Sequence, residues 1–347
     1  MKNKQHRLPA EWEAADAVVL AWPHADTDWA HMLDEVRACY ADIIAAAASR
    51  AKVILIGPEE PEERYMPSGD LRDNVVFINI PTNDTWTRDY GPITCETADG
   101  KHIANDFKFN GWGLKFAADR DNLATSALCS TGLLAAERAN RLGFVLEGGS
   151  IESDGRGTVI TTADCLLSPN RNGDMSRDDI DRRLCEYLGA DRVLWLTKGA
   201  LEGDDTDGHI DTLARLVPPG DTILFTGTSD TADSHYASLL EMKKELEALR
   251  TADGSPYNLV ELPLPDAIYD PDDGTRLPAT YANFLILNGA VLLPVYGQPM
   301  KDMLATMTVK AAMPDYEVIT VDCNALIRQH GSLHCATMQL PAGSTNF

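Results

Sequence analysis

The 347-residue chain has no C-x-x-C pair, and its seven cysteines, an odd number, follow no repeated spacing. That excludes a disulfide framework and points to a reducing, cytoplasmic compartment. No cluster of His or Cys stands at ligand spacing, so no metal is expected. No apolar run is long enough to span a bilayer. The run 43–48 is short, and its helix also carries Asp34, Glu35, Arg37 and Asp42. Residues 1–13 are polar and lack the apolar segment of a secretory leader. No Gly/Ser-rich or Pro-rich tract divides the chain, and one domain over residues 1–347 is expected. Bases are scarce. With 30 Lys and Arg against 53 Asp and Glu, the net charge is −23. Such a surface repels nucleic acid and anionic membrane and concentrates small cations. The absences fit a soluble protein with a small cationic partner, and they leave a homo-oligomer open.

What is present is concentrated first at Gly203-Asp204-Asp205-Thr206-Asp207-Gly208-His209-Ile210-Asp211, which runs into the apolar stretch 212–217. With a strand expected from His209, His209 and Asp211 point to one side and Ile210 to the other, about 7 Å apart along the backbone. A calcium loop does not fit. With Gly208 as its turn glycine, positions one and twelve are Gly203 and Ala214, and two obligatory ligands are missing. An organic active site remains, with its nucleophile to be found elsewhere.

Along the chain, strands are expected over 17–22, 52–56, 75–80, up to about Thr97, and 102–109. A helix is expected over 28–50, with Leu33, Val36, Tyr40, Ile43 and Ile44 on one face, and another up to about Arg141. Then a unit repeats as hairpin, helix, strand. The first has strands 144–151 and 158–167, helix 176–188 and strand 193–196. The second has a strand from His209, one to Thr226, helix 234–250 and strand 258–262. The third has strands 280–287 and 290–295 about Asn288-Gly289, helix 300–312 and strand 316–321. Hairpin turns near 99, 155, 219 and 289 give a period of roughly 55–70 residues. The last strand, 333–340, has no partner after it, and the first, 17–22, has none before it. Pairing them completes a fifth unit. The expectation is a closed, propeller-like α/β ring of five units without an exposed edge.

In such a ring the first strand of each hairpin lines the centre. That brings Asp89, Glu147, Asp211 with His209, and Cys335 to similar positions in four of the five units. The other six cysteines are read as core packing. Opposed carboxylates hold a planar cation by bidentate, charge-assisted hydrogen bonds, and a guanidinium has the matching fork. A thiolate can attack its carbon once the carboxylates fix it and a histidine protonates the departing nitrogen.

The segments 85–92 (Thr-Trp-Thr-Arg-Asp-Tyr-Gly-Pro), 109–113 (Phe-Asn-Gly-Trp-Gly), 146–149 (Leu-Glu-Gly-Gly), 203–211, and 331–336 (Gly-Ser-Leu-His-Cys-Ala) resemble the agmatine deiminase family. This is the branch grouped with Porphyromonas-type peptidylarginine deiminases in the guanidine-modifying pentein superfamily. The resemblance covers nearly the whole chain. It implies a five-fold pseudo-symmetric α/β propeller, no cofactor, and hydrolysis of agmatine to N-carbamoylputrescine and ammonia. It also implies Cys335 as nucleophile, His209 as general acid then base, and Asp89, Glu147 and Asp211 as partners of guanidinium and histidine. Asp205 stands where the family often has a longer Glu, at a position resembling one that contacts the substrate's far amine. Trp86 and Trp112 are placed on the channel walls, and Arg88 and Lys108 are read as ion-pair partners of acids. Two other outcomes stay open: a deiminase for peptidyl or free arginine, and a non-catalytic pentein binding module.

Overall fold

A computed structural model describes residues 6–347. Its strands form five small sheets, each built on an antiparallel pair with a parallel neighbour, and the first carries His6–Arg7 as an extra antiparallel edge strand. Ile93–Thr97 pairs antiparallel with His102–Lys108, which pairs parallel with Glu137–Val145. The same wiring joins Ile151–Ser153, Thr158–Thr162 and Arg192–Leu196. It recurs in Ala214–Val217, Thr222–Gly227 and Asn258–Pro263, and in Leu285–Leu287, Ala290–Val295 and Glu317–Asp322. In the fifth sheet Met338–Pro341 lies antiparallel to Ala15–Ala21, with Met338 opposite Val19. Lys52–Gly57 and Val75–Asn79 follow in parallel. The expected partnership of first and last strands is therefore present. It completes one sheet rather than a continuous one: among the described residues no hydrogen-bonded ladder joins any of the five sheets to another.

Each parallel step is crossed by an α-helix, as is usual for parallel strands, except that from Lys52–Gly57 to Val75–Asn79, which is crossed by the 3₁₀ segments Glu63–Tyr65 and Gly69–Asn74. Leu33–Ala48 buries Val36, Tyr40, Ile43 and Ile44 as its periodicity predicts, while Leu33 stays half-buried. Arg177–Leu188 opens on a reciprocal cap between Ser176 and Asp179 and stops at Gly189, whose φ of 67° a side chain would strain. One large apolar cluster runs through most of the molecule, and a second fills the space between Tyr236–Ala248 and its sheet.

Several boundaries differ from expectation. The helix expected to reach Arg141 is Asp121–Ser130, and Glu137–Val145 is a strand. Its Glu-Arg-Ala-Asn-Arg opening is charged because it lies mostly exposed, and so it reads like a solvated helix. Four strands also begin late. The 144–151 stretch is interrupted by a 3₁₀ turn at Gly148–Ser150, so the sheet starts at Ile151. The strand expected from His209 starts at Ala214, after a 3₁₀ turn at Ile210–Thr212. That from 280 starts at Leu285, and that from 333 at Met338. Hydroxyls explain three of these. Ser150, Thr212 and Thr337 each donate to the carbonyl three residues back, those of Glu147, His209 and His334, at 2.6, 2.9 and 3.0 Å. That bond competes with ladder pairing and holds a turn.

Candidate active site

These delayed strand openings hold the chemistry. Asp89 lies in the one-turn helix Thr87–Tyr90, ahead of Ile93. Glu147 precedes the turn before Ile151, and His209 and Asp211 belong to the turn before Ala214. Cys335 sits in the turn before Met338. His209 and Asp211 are thus brought to one place by a tight turn, not by strand alternation. The fold gathers all five expected residues. His209 Nδ1 is 3.7 Å from Asp89 Oδ1, and its Nε2 is 3.7 Å from Glu147 Oε2. Cys335 Sγ lies 3.7 Å from Asp211 Oδ2.

The fourth sheet also contributes a residue at this position. Asn283, just ahead of Leu285, donates from Nδ2 to Cys335 Sγ at 3.2 Å, and its Oδ1 accepts from the His334 and Cys335 amides at 2.9 and 3.2 Å. The period that placed site residues in the other four units should also have pointed to it.

Close backbone approach makes the site compact. A Cβ on Gly149 would lie 2.6 Å from His209 Nδ1 and 2.9 Å from Asp89 Oδ1, so only glycine fits there. The Gly149 amide donates to Asp89 Oδ1 at 2.9 Å, and the Trp112 indole donates to its Oδ2 at 2.9 Å. Trp112 reaches that carboxylate from a left-handed backbone, φ 53°, between Gly111 and Gly113. Such strain clusters at functional sites.

Arg171, fully buried, grips both oxygens of Glu147 through Nε at 3.0 and 2.8 Å and reaches Asp207 at 2.6 Å. Sequence spacing did not single it out. On the other side Asp211 Oδ2 meets His334 Nδ1 at 2.7 Å, and His334 Nε2 meets Glu11 Oε2 at 2.6 Å. Arg88 pairs with Glu11 at 3.7 Å, as expected. Lys108 is exposed and makes no ion pair among the described residues.

Burial opposes charge on His209, but Asp89, Cys165 and Glu147 outweigh it and hold the imidazole well above its usual range. Burial raises Glu147 and Asp211 too, yet hydrogen bonds and cations leave both low: His209 and Arg171 for Glu147, His334 for Asp211. Asp89 is raised, chiefly by burial. Burial, then Asp211 and Asp89, push the Cys335 thiol well up. Three atoms at the centre have no hydrogen-bond partner although buried: His209 Nδ1, His209 Nε2 and Asp211 Oδ1. Unpaired buried polar atoms cost about 1–3 kcal/mol each unless a ligand completes them.

A cleft of about 360 Å³ leads to Cys335 and Asp89. Trp86, Trp112 and Phe116 form its apolar walls, and Asp28, Asp84, Asp205, His330 and Gln329 its polar ones. Both expected tryptophans and Asp205 are therefore at the cleft. Of the neighbouring acids, Asp204 instead accepts from the Thr206 and Gly208 amides of its own loop, at 2.9 and 2.8 Å. Asp28 and Asp84 were not foreseen. A larger cavity, about 660 Å³, is lined by Glu11, Arg88, Glu152 and His334 but not by Cys335, Asp89 or His209. Of the expected catalytic residues, Cys335 and Asp89 therefore open onto the smaller one.

The expectation that no ligand set exists rested on spacing, and the fold does gather donors. Glu147, Cys165 and His209 bring three donor atoms within 4.8 Å of one another. Cys165 consequently borders the site and is not plain core. Cys129 and Cys185 are only half-buried, and none of the seven cysteines is in a disulfide.

A structure from Porphyromonas gingivalis, provisionally named an arginine deiminase, is 48% identical, with a TM-score of 0.92 over 98% of this chain and 100% of its own. The agmatine deiminase of Campylobacter jejuni, solved with substrate bound as a cysteine-to-serine variant, is 36% identical, with a TM-score of 0.88 over 96% of each chain. A Vibrio parahaemolyticus protein, provisionally named an agmatine deiminase, is 34% identical over 96% of each chain. Residues 7–341 match the model of the Porphyromonas-type peptidyl-arginine deiminases, and the chain belongs to that family.

Proposed function

We propose that the protein hydrolyses agmatine to N-carbamoylputrescine and ammonia with Cys335 as nucleophile. The observation that carries this is a thiol, a cationic imidazole and three carboxylates converging on a buried centre whose polar atoms lack partners. Asp89 and Asp211 hold the guanidinium, and Cys335 Sγ adds to its carbon. His209 protonates one nitrogen as its C–N bond breaks and is left neutral, while the thiol proton is released to solvent and ends on the departing ammonia as ammonium. Ammonia leaves an amidino-thioether cation on Cys335. Water then adds to the same carbon, losing a proton to His209. The C–S bond breaks, returning the thiol and releasing the carbamoyl product. The steps consume one water and need no cofactor. Glu147, fixed by Arg171, keeps His209 oriented and charged.

The cleft favours an amine-ended tail. Asp28, Asp84 and Asp205 line it and, among the described residues, no Lys or Arg does, whereas free arginine would bring a carboxylate. The relatives named for agmatine deiminase support the same reading. The antiparallel-then-parallel core shared by all five units supports a single domain arranged as a closed five-fold ring. Seven cysteines without a disulfide accord with a cytoplasmic location. Ammonia release across agmatine, arginine and a peptide ending in arginine tests the substrate, and agmatine should be turned over fastest. Turnover of arginine above agmatine would replace the substrate assignment. No guanidine turnover by the parent protein, and none lost in Cys335→Ser, would return the chain to a binding role.

A further inference from the structure

The mechanism leaves one buried thiol unused. Cys165, fully buried in the turn Ala163–Leu166, places Sγ 3.7 Å from Glu147 Oε2. Glu147 Oε2 is 3.7 Å from His209 Nε2, and the three donor atoms all lie within 4.8 Å of one another. His209 Nε2 is buried without a hydrogen-bond partner and faces the other two. A tetrahedral Zn²⁺ with bonds of roughly 2.0–2.3 Å to N, O and S needs donors about 3.3–3.7 Å apart. The observed spacing is close to that, and small side-chain shifts complete it. We propose that Glu147, Cys165 and His209 form a site for a thiophilic divalent cation, Zn²⁺ in particular, and that filling it stops turnover.

The donor set decides the metal. One thiolate, one imidazole and one carboxylate select zinc over the oxygen-preferring Mg²⁺ and Ca²⁺. Charge is balanced. From the state with imidazolium His209 and thiol Cys165, one proton leaves each group and one dication enters, so the formal charge of the cluster does not change. Arg171 holds Glu147 through one nitrogen, and a carboxylate has lone pairs to spare for a metal. Cations are drawn to the entrance, because Asp28, Asp84 and Asp205 line the cleft above. Binding itself does not depend on the proposed reaction. Only the inhibition rests on that reading, since the ion occupies the His209 nitrogen that moves the proton.

The test separates the two. In Cys335→Ala, which removes the other thiol at the site, Co²⁺ should give a sulfur-to-cobalt charge-transfer absorption in the near ultraviolet. Adding Cys165→Ser should abolish it. In the unmodified enzyme Zn²⁺ should inhibit, and Cys165→Ser should weaken that inhibition by about tenfold or more, each measured against the same protein's zinc-free turnover. Cys165→Ala, checked by thermal unfolding, guards against a folding defect in the serine variant. No band in Cys335→Ala, a band surviving loss of Cys165, or unchanged zinc inhibition would overturn the site. If no guanidine is turned over at all, the cobalt band still decides the metal site.

Discussion

Burial, and then the carboxylates of Asp211 and Asp89, push the thiol of Cys335 well above its ordinary range. Iodoacetamide should therefore inactivate the free enzyme slowly at pH 7, with an apparent pKa above the usual thiol value of about 8.5. A non-reacting amidinium that leaves the sulfur open should lower that pKa. Titration well below 7 would instead mean a preformed thiolate–imidazolium pair. Asp205 faces the cleft, and burial, helped by Asp204 and opposed by His330, pushes its carboxyl up to about 6. Asp205→Asn should raise KM for agmatine by the equivalent of about 1–2 kcal/mol and leave kcat nearly alone; an unchanged KM would remove it from tail recognition. Asp84 is pushed from 3.8 up to about 7, mostly by burial. A carboxyl raised on folding stabilises fully below its unfolded value and loses that contribution as pH climbs through the folded one. Asp84→Asn should thus melt higher than the parent at pH 8 and no higher at pH 4. Its KM for agmatine should lose the fall that the parent shows between pH 6 and 8. Cys335 and His209 were legible as residues because they stand inside recognisable segments. Cys165, Arg171 and Asp84 were not, since their roles come from neighbours distant in sequence.

The short turns ahead of the strands carry the proposed site residues, and they have little tolerance. Gly149→Ala would put a methyl group against both His209 and Asp89, and overpacking of this kind costs typically about 1–3 kcal/mol. We expect kcat to fall at least a hundredfold with the far-ultraviolet spectrum intact; near-normal turnover would show that the turn can yield. Gly331→Ala, whose Cβ would collide with the Trp86 ring, should instead act mainly on KM by displacing a cleft wall. Helices were readable because their apolar faces repeat over many residues, as Leu33–Ala48 illustrates. The turns were not, because Leu146-Glu147-Gly148-Gly149 and Gly208-His209-Ile210-Asp211 continue into apolar runs, and periodicity alone cannot place the break.

At the scale of the molecule, charge and topology act together. A surface of net charge −23 should speed capture of a doubly positive substrate, and salt screens such steering. kcat/KM for agmatine should fall as ionic strength rises while kcat holds; a flat profile would confine the electrostatics to the cleft. Prolonged chelation should leave kcat unchanged or raise it by removing inhibitory zinc, and a loss restored by Zn²⁺ would make the metal part of the reaction. Four of the five units were visible in turn spacing and the meeting of first and last strands in their lack of sequence neighbours to pair with, whereas the separateness of the five sheets was not visible. That meeting has a kinetic consequence. Met338–Pro341 and Ala15–Ala21 can join only after a very long loop closes, and such non-local contacts form slowly. Cys335 hangs a few residues ahead of that late strand, with its amide and sulfur held by Asn283. Four units can therefore be built while Cys335 is still adrift, and in refolding the return of activity should lag behind the return of secondary structure.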